Sequence, residues 1–284
     1  MLGRDVVRAA VAARHDVVSL TRAELDVGDA AAVSAALSAA RPQVVVNCAA
    51  WTDVDGAEAE EEQATLVNGA GAGNVARAAA ELGAAVVHVS TDYVFDGDKG
   101  AAYVESDPVG PRSAYGRSKL AGEREVAAAT PRHAIVRTAW LFGAGGRNFV
   151  DTMLALGAER DEVRVVTDQV GCPTWTGHLA VALVALAQSE ATGVMHVAGG
   201  GSCSWNELAR EAFRMAGVDC RVTETTSEEF VRPAPRPACS VLESERAEAP
   251  RLASWREGLA AHLAERARVD ASQQESGHPA EVTS

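Results

Sequence analysis

Short apolar segments of strand length alternate with alanine-rich segments of helical length through the first half of the chain. This alternation is typical of a parallel sheet whose two faces are covered by helices. The predicted strands are Asp16–Leu20, Gln43–Ala49, Ala85–Ser90 and Ala134–Arg137, and the predicted helices are Gly3–Arg14, Ala30–Ala40, Asn68–Leu82 and Tyr115–Ala128. Val44–Val46 and Val86–Val87 are β-branched throughout, as strands buried on both faces should be. We therefore predict an α/β fold with a Rossmann-type, doubly wound parallel sheet.

The pattern changes near residue 149, beyond which short strands are interspersed with helices. The strands predicted there are Val163–Val166, Val194–Ala198 and Arg221–Thr223, and the helices are Gly177–Gln188, Trp205–Ala216 and Trp255–Ala267. We interpret 1–148 as a Rossmann-like dinucleotide-binding domain and 149–268 as a smaller mixed α/β lobe that mainly binds substrate. Residues 269–284 are polar and aperiodic, which predicts a disordered tail.

The net charge of −13 argues against binding to nucleic acid or to a membrane surface, since both need a basic surface. No segment is apolar for long enough to span a bilayer, and the first residues lack the features of a signal peptide. The five cysteines are far apart and form no C-x-x-C pair, so neither a disulfide framework nor a zinc site is expected. These observations predict a cytoplasmic protein with no metal-binding residues.

A tyrosine and a lysine lie one helical turn apart in the segment YGRSK, at Tyr115 and Lys119. This spacing puts the phenol and the ammonium on the same face of a helix. It suits carbonyl reduction, in which the phenol donates a proton to the alkoxide that forms as hydride arrives. A neighbouring ammonium favours the phenolate, so we expect Lys119 to lower the pKa of Tyr115 from its usual value of about 10. The pair therefore predicts an acid catalyst and its partner.

The segment Ser90–Phe95 follows directly after a predicted apolar strand. Ligands of open parallel sheets lie at the carboxyl ends of the strands. A hydroxyl at this point, from Ser90 or Thr91, is placed to hydrogen-bond a substrate carbonyl and polarise it.

Seven segments in this order resemble those of the dTDP-4-dehydrorhamnose reductases, a branch of the extended short-chain dehydrogenases/reductases. They are VVVNCAAWTDVDGAE, HVSTDYVFDG, YGRSKLAGE, VRTAWLFG, NFV, DQVGCPT and RPAPRP, and the resemblance covers about Leu2 to Leu263. It implies reduction of the C4 ketone of a dTDP-keto-deoxysugar, dTDP-4-dehydro-L-rhamnose, to dTDP-L-rhamnose by NADPH.

The resemblance also implies roles for individual residues. Tyr115 is the expected proton donor, Lys119 its partner, and Thr91 the hydroxyl that assists at the carbonyl. The residues expected to face the substrate are Thr91, Asp92, Tyr93, Trp140, Asn148, Gln169 and Arg232. Those expected to contact the cofactor are Leu2, Gly3, Arg22, Asp26, Val27, Ala50, Trp51, Thr52, Val89, Tyr115 and Lys119.

The beginning of the chain departs from the expected pattern. A dinucleotide fold starts with a strand and a glycine-rich loop, and the following helix N-terminus holds the pyrophosphate. Here only Leu2 and Gly3 precede the helix, and Gly3 matches the last glycine of that loop. We therefore expect a truncated first strand, a start codon about ten residues upstream, and weak or absent NADPH binding by the chain as written.

The choice of cofactor depends on the end of the second predicted strand. Arg22 at this position could accept a 2′-phosphate, which favours NADPH, while NADH stays open. Some relatives hold a divalent metal at a dimer interface, but Asp5 alone does not make such a site, so a need for Mg²⁺ and the choice between monomer and homodimer also stay open.

Two other functions are compatible with the sequence. The first is reduction of another dTDP-4-keto-6-deoxysugar, for example in dihydrostreptose formation. The second is a non-catalytic nucleotide-binding regulatory subunit of the same fold. Thr91, Tyr115 and Lys119 argue against the second, whereas the missing glycine loop is what it would predict.

Overall fold

A computed structural model of the protein describes the backbone of residues 1–276 and the side chains of residues 1–269. Its helices are α1 (Leu2–Ala12), α2 (Ala30–Ala40), α3 (Gly56–Ala59), α4 (Glu61–Thr65), α5 (Gly71–Glu81), α6 (Ala114–Ala129), α7 (Phe149–Glu159), α8 (Thr176–Ala187), α9 (Trp205–Ala216) and α10 (Trp255–Ser276). Its strands are β1 (Val44–Asn47), β2 (Ala85–Thr91), β3 (His133–Thr138), β4 (Leu141–Phe142), β5 (Glu162–Val166), β6 (Val170–Gly171), β7 (Thr174–Trp175), β8 (Gly193–His196), β9 (Cys203–Ser204) and β10 (Arg221–Thr225). A π-helical turn, Leu66–Ala70, joins α4 to α5, and a 3₁₀ turn, Asp92–Val94, follows β2.

The main sheet has four parallel strands in the order β1-β2-β3-β8. Val87 pairs with Val46 on one side and with Ala134 on the other. Successive residues of β2 face opposite layers: Val87 packs toward α1 and α8, and Val86 packs toward α2 and α5. The predicted α/β fold with a parallel sheet between helical layers is confirmed.

The predicted strand at Asp16–Leu20 does not form. These residues are extended but unpaired, and Val18 and Leu20 are 64% and 46% exposed. A strand is stabilised by hydrogen bonds to a neighbour and by a covered face. Within residues 1–276, β1 is the end strand of the sheet and no second strand pairs with it. The apolar pattern identifies a segment that is able to form a strand. The strand forms only where a neighbouring strand is available to pair with it.

The second half of the chain builds a smaller lobe from two-stranded sheets. β5 pairs with β10 in parallel, and their buried faces pack with α7, α9 and the start of α10 around Phe142, Trp255 and Leu259. However, α8 and β8 return to the main sheet, where β8 pairs with β3. The main sheet therefore includes residues beyond the expected boundary at 148.

The last helix runs further than the sequence pattern predicts. We expected a disordered tail from residue 269, but α10 continues to Ser276. The segment from Leu259 to Ser276 contains neither glycine nor proline, and its alanine, glutamate, glutamine and arginine residues favour a helix. The rest of the expected tail, 277–284, lies outside the described residues.

Candidate active site

Five of the predicted site residues meet where β2 ends and α6 begins. Thr91 and Asp92, which end β2 and start the 3₁₀ turn, are buried, and Lys119 of α6 is buried beside them. The rings of Tyr93 and Tyr115 are 5.6 Å apart with their planes at 79°, an edge-to-face contact. The predicted hydroxyl and carboxylate at the carboxyl end of a central parallel strand thus lie next to the phenol and the ammonium of α6.

The start of α6 is fixed by its caps and by glycines. The Ser113 hydroxyl accepts a hydrogen bond from Gly116 N at 3.1 Å, and the Glu58 carboxylate accepts one from Ala114 N at 2.8 Å. A side chain at Gly116 would overlap the Tyr93 carbonyl, and one at Gly122 would overlap the Asn68 carbonyl. The helix therefore lies directly on the turn after β2, which brings Tyr115 to Thr91.

Asn68 joins α6 to the end of β1. Its carboxamide accepts a hydrogen bond from Trp51 N at 2.8 Å and donates to Trp51 O at 3.1 Å and to the Ser118 hydroxyl at 2.9 Å. Trp51 and Tyr115 pack on the same small cluster around Ala57, so the segment after β1 also faces the site. The sequence pattern does not point to Asn68, because a buried asparagine inside a helical pattern gives no signal of its partners.

The Thr91 hydroxyl lies 3.0 Å from Asp92 Oδ1, to which it donates, and it accepts a hydrogen bond from Tyr93 N at 3.2 Å. Asp92 Oδ2 is buried and makes no hydrogen bond of normal geometry. Burial raises the pKa of Asp92 to about 6, although the hydroxyls of Ser240 and Thr91 act to lower it. Asp92 is thus a carboxyl group that changes its charge close to neutral pH.

Tyr115 has a pKa raised to about 12. Burial is the main cause, hydrogen bonding with Thr91 acts to lower the pKa, and the charge of Asp92 raises it. The expectation that Lys119 lowers this pKa is wrong in this arrangement, because the Lys119 ammonium donates to the carbonyl of Val89 at 2.7 Å rather than approaching the phenol. The phenol is therefore protonated at neutral pH, the state required of a proton donor.

Lys119 lies beneath the site with its ammonium toward the backbone of β2. Burial lowers its pKa to about 8, although the negative charge of Glu123 acts to raise it. Of its three N–H donors, one is used within the described residues. The others, together with the Val89 carbonyl and the ends of β1 and β2, suit the ribose and nicotinamide end of a dinucleotide.

The predicted contacts for the other end of the cofactor are less organised. Arg22, Asp26 and Thr52 are exposed, and Val27 and Ala50 are half-buried. Asp26 accepts a hydrogen bond from Gly28 N at 2.9 Å, and the Val27 carbonyl accepts one from Asn74 at 3.0 Å. Leu2 and Gly3 form the first turn of α1, where Gly3 lies against Cys48. Residues 13–29 contain no strand that would hold these groups in register, so this set is less ordered than the cluster around Lys119.

The aromatic residue predicted to face the substrate has a constrained backbone. Trp140 has a φ of 48°, in the left-handed region that non-glycine residues rarely adopt. Its ring stacks on Trp205, with centroids 3.5 Å apart, and lies against Gly171, where a side chain would overlap the indole. Trp205 Nε1 donates to Gln169 at 3.1 Å, and Gln169 donates to Ser227 at 2.7 Å. The structure thus joins Trp140 and Gln169 through Trp205, a residue that sequence reasoning missed.

Two predicted substrate residues are engaged elsewhere. Asn148 caps α7, accepting a hydrogen bond from Asp151 N at 2.9 Å and donating to the Gly143 carbonyl at 3.0 Å. Arg232 is half-exposed, 3.2 Å from Asp55, and the more buried Arg236 binds the same carboxylate at 2.5 Å. Although burial raises the pKa of Asp55, the hydrogen bonds from Arg236 and Ala234 outweigh it and lower the pKa.

Arg236 is a further residue that sequence reasoning missed. The segment RPAPRP contains it together with Arg232, each followed by a proline. Arg236 lies near Tyr93. Burial and the charge of Asp92 raise the pKa of Tyr93, whereas the charge of Arg236 lowers it. Arg236, unlike Arg232, is therefore close enough to Tyr93 for its charge to act on the phenol.

No helix among residues 1–276 is long and apolar enough to cross a membrane. The same part of the chain holds no group of three or more His, Cys, Asp or Glu side chains that could bind a metal ion.

Comparison with known proteins identifies the family. The sequence model described as "RmlD substrate binding domain" matches residues 1–268. A protein of Streptomyces griseus named dTDP-4-dehydrorhamnose reductase is 47% identical over 92% of this chain and 88% of its own length. A protein of Streptomyces antibioticus named as a probable dTDP-4,6-dihydroxy-2-methyloxan-3-one 4-ketoreductase is 45% identical over 91% of this chain and 90% of its own.

A solved structure supports the same assignment. The dTDP-4-dehydrorhamnose reductase of Bacillus anthracis in complex with NADP is 38% identical, covers 93% of this chain and 95% of its own, and superposes with a TM-score of 0.90. The chain therefore belongs to the dTDP-4-dehydrorhamnose reductase family, within the extended short-chain dehydrogenases/reductases.

Proposed function

We propose that this protein reduces the C4 ketone of dTDP-4-dehydro-L-rhamnose to give dTDP-L-rhamnose, with NADPH as reductant and Tyr115 as proton donor. The observation that carries the proposal is the convergence of Thr91, Tyr115 and Lys119 at the carboxyl end of β2, with the phenol protonated at neutral pH. The names of the relatives and the NADP complex of one of them support the substrate class and the cofactor.

The residues divide the reaction between them. Bound NADPH supplies the hydride that the carbonyl carbon accepts. Tyr115 donates its phenolic proton to the carbonyl oxygen, so that the ketone becomes a secondary alcohol. Thr91 turns its single hydroxyl hydrogen from Asp92 Oδ1 to the same oxygen and stabilises the negative charge that develops there. The free N–H groups of Lys119 bind the cofactor, and a proton from solvent later replaces the one that Tyr115 transfers.

The residues outside this centre bind the rest of the substrate. Trp140 offers the face of its indole to the sugar or the base, and Trp205 supports the ring from the other side. The guanidinium groups of Arg236 and Arg232 are suited to the diphosphate, because a planar fork of donors binds phosphate oxygens well. We further expect the protein to act in the cytoplasm as a monomer or homodimer, which sedimentation of the purified chain would decide.

The test is the loss of NADPH absorbance on addition of dTDP-4-dehydro-L-rhamnose, with the product identified by NMR. Tyr115→Phe should lower kcat by about 10²–10⁴-fold, the usual contribution of a positioned acid. Lys99→Met serves as the control for Lys119→Met, because these are the two lysines of the chain and Lys99 lies outside the site, paired with Asp107. Equal activity of Tyr115→Phe and the parent would contradict the assignment of the proton donor.

A reductase for a different dTDP-keto-deoxysugar is the second candidate, and the Streptomyces antibioticus relative named as a 4-ketoreductase favours it. Parallel assays with other dTDP-4-keto-6-deoxysugars distinguish the two by their kcat/KM values. A folded chain that binds NADPH but oxidises it with none of these ketones would instead support the non-catalytic binding subunit.

A further inference from the structure

A second buried carboxylate lies one helical turn beyond Lys119. Glu123 of α6 accepts two hydrogen bonds from Arg137, at 2.9 Å and 2.7 Å, and one from the Ser90 hydroxyl at 2.5 Å. The side chains of Glu123 and Arg137 are each 5% exposed. A buried ion pair is a weak source of stability, because the cost of removing both charges from water offsets their attraction. The pair therefore invites a functional explanation.

The three partners belong to the three elements that carry the candidate site. Ser90 directly precedes Thr91 on β2, Arg137 lies on β3 three residues before Trp140, and Glu123 shares α6 with Tyr115 and Lys119. The carboxylate thus holds α6 in register with two strands. Arg137 also lies over the ring of Phe95 and reaches His196 at 3.5 Å, so its position is fixed from both sides.

The same carboxylate supplies negative charge to Lys119. Among the described residues, no carboxylate lies within ion-pair distance of this buried ammonium. The titratable groups that interact with it are Glu123 from α6, Cys48 from the end of β1 and His88 from β2; Arg137 of β3 is bound to Glu123, and the terminal ammonium of Met1 lies near Cys48. Burial keeps the Cys48 thiol and His88 neutral, since it raises the pKa of Cys48 to about 11 and lowers that of His88. Glu123 is therefore the main source of negative charge for Lys119.

We propose that Glu123 is a positioning residue of this site: its charge keeps the Lys119 ammonium protonated, and its hydrogen bonds to Ser90 and Arg137 fix α6 against the strands that carry Thr91 and Trp140. The role of Lys119 in reduction depends on the proposed function, whereas its charge state does not. The two can therefore be tested separately.

The chain is suited to a direct test because it has two lysines, Lys99 and Lys119. NMR of protein labelled with ¹³C at lysine Cε gives one signal for each, and Lys99→Arg assigns them. In Glu123→Gln, the Lys119 titration should move to lower pH by about 1 unit or more, as expected on loss of a nearby opposite charge. The matched control is Glu125→Gln, two residues along the same helix, where the carboxylate is half-exposed and bound to Arg77.

Two further variants separate charge from folding. Glu123→Gln/Arg137→Gln removes both charges, so no unpaired buried charge remains, and it should still lower the Lys119 titration. Glu123→Asp keeps the charge and should titrate like the parent. An unchanged Lys119 titration in a folded Glu123→Gln or in the double variant would overturn the electrostatic part of the proposal.

The reductase assay provides the second readout. In Glu123→Gln, the alkaline limb of the kcat/KM profile should move to lower pH together with the Lys119 signal, because the ammonium is lost earlier as pH rises. Movement of the NMR signal without movement of the limb would show that Glu123 sets the charge of Lys119 but that Lys119 does not limit reduction, which would overturn the link to catalysis. Absence of any reductase activity in a parent that binds NADPH would contradict the proposed function and leave the NMR result valid.

Discussion

The two sides of β1 are organised in very different ways. Toward β2, the strands and α6 enclose Thr91 and Lys119, which are 6% and 2% exposed. On the other side, Val18 is mostly exposed, Leu20 is nearly half exposed, and residues 13–29 form no strand. The half that holds the predicted catalytic residues is stabilised by contacts among residues 44–140. The half expected to hold the adenosine part of the cofactor depends on a neighbouring strand for β1.

The largest effect is expected from adding a strand that pairs with the open side of β1. A variant with a strand-forming segment and a GxxGxxG loop ahead of Leu2 should order residues 16–20. About five apolar side chains buried on a central strand contribute about 1.5–3 kcal/mol each as an upper estimate. Their sum is comparable to the whole free energy of unfolding of a domain. The melting temperature and the NADPH affinity should both rise, as measured by calorimetry and titration. A glycine–serine extension of equal length is the control, and an equal gain from it would contradict the explanation.

A substitution on the packed side of β1, in α6, should destabilise the region that holds Thr91 and Lys119. Gly122→Ala places a methyl group against the Asn68 carbonyl, which cannot move without disturbing Trp51. We expect a loss of about 1–3 kcal/mol, the usual cost of overpacking. The matched control is Gly3→Ala in α1, where the added carbon would make an ordinary contact with Cys48 at 3.7 Å. Urea unfolding of both variants measures the difference, and an equal effect at the two glycines would refute the close packing of α6.

A pH measurement tests whether the site is as dry as its burial indicates. The pKa of Asp92 in the folded protein, about 6, exceeds its ordinary value of 3.8, so the folded state binds more protons between these pH values. The contribution of Asp92 to stability is therefore full below about pH 4 and falls as pH rises toward 6. In Asp92→Asn that fall should disappear. Urea unfolding of parent and variant from pH 4 to 7 should show a difference that grows to pH 6 and then stays constant, and a constant difference throughout would exclude the raised pKa.

The smallest effect is expected on the exposed side. Arg22 makes no hydrogen bond or ion pair within the described residues, so its contribution rests on a 2′-phosphate that only NADPH carries. Arg22→Ala should lower the preference for NADPH over NADH without changing stability. The ratio of kcat/KM values for the two cofactors, measured in the variant with the added strand, tests this, and an unchanged ratio would remove Arg22 from the specificity argument.

The same contrast explains how far the sequence could be interpreted. The strands Ala85–Ser90 and Ala134–Arg137 were predicted within a residue or two, because their apolar runs are buried on both faces. Asp16–Leu20 has a comparable pattern and still forms no strand, since periodicity reports which face would be buried and not whether a partner is present. The convergence of Thr91, Tyr115 and Lys119 followed from motif spacing and the strand-end rule.

The residues that were missed act through tertiary contacts. Asn68, Trp205 and Arg236 gain their importance from Trp51, Trp140 and Asp55, which lie far away in the sequence. Lys119 shows the same limit, because its spacing from Tyr115 predicted proximity but not the direction of its ammonium. Spacing along a helix determines which residues share a face, while the partner strand decides where a long side chain ends.

The position of β1 at the end of the main sheet also affects behaviour in concentrated solution. Its residues Val44–Val46 are β-branched and uncharged, and an unpaired strand edge of this kind is a template for pairing with another extended chain. Proteins usually protect such edges with charges, prolines or bulges, none of which occurs within the four residues of β1, Val44–Asn47. Light scattering should therefore show concentration-dependent self-association of this chain, and the variant with an added strand should suppress it.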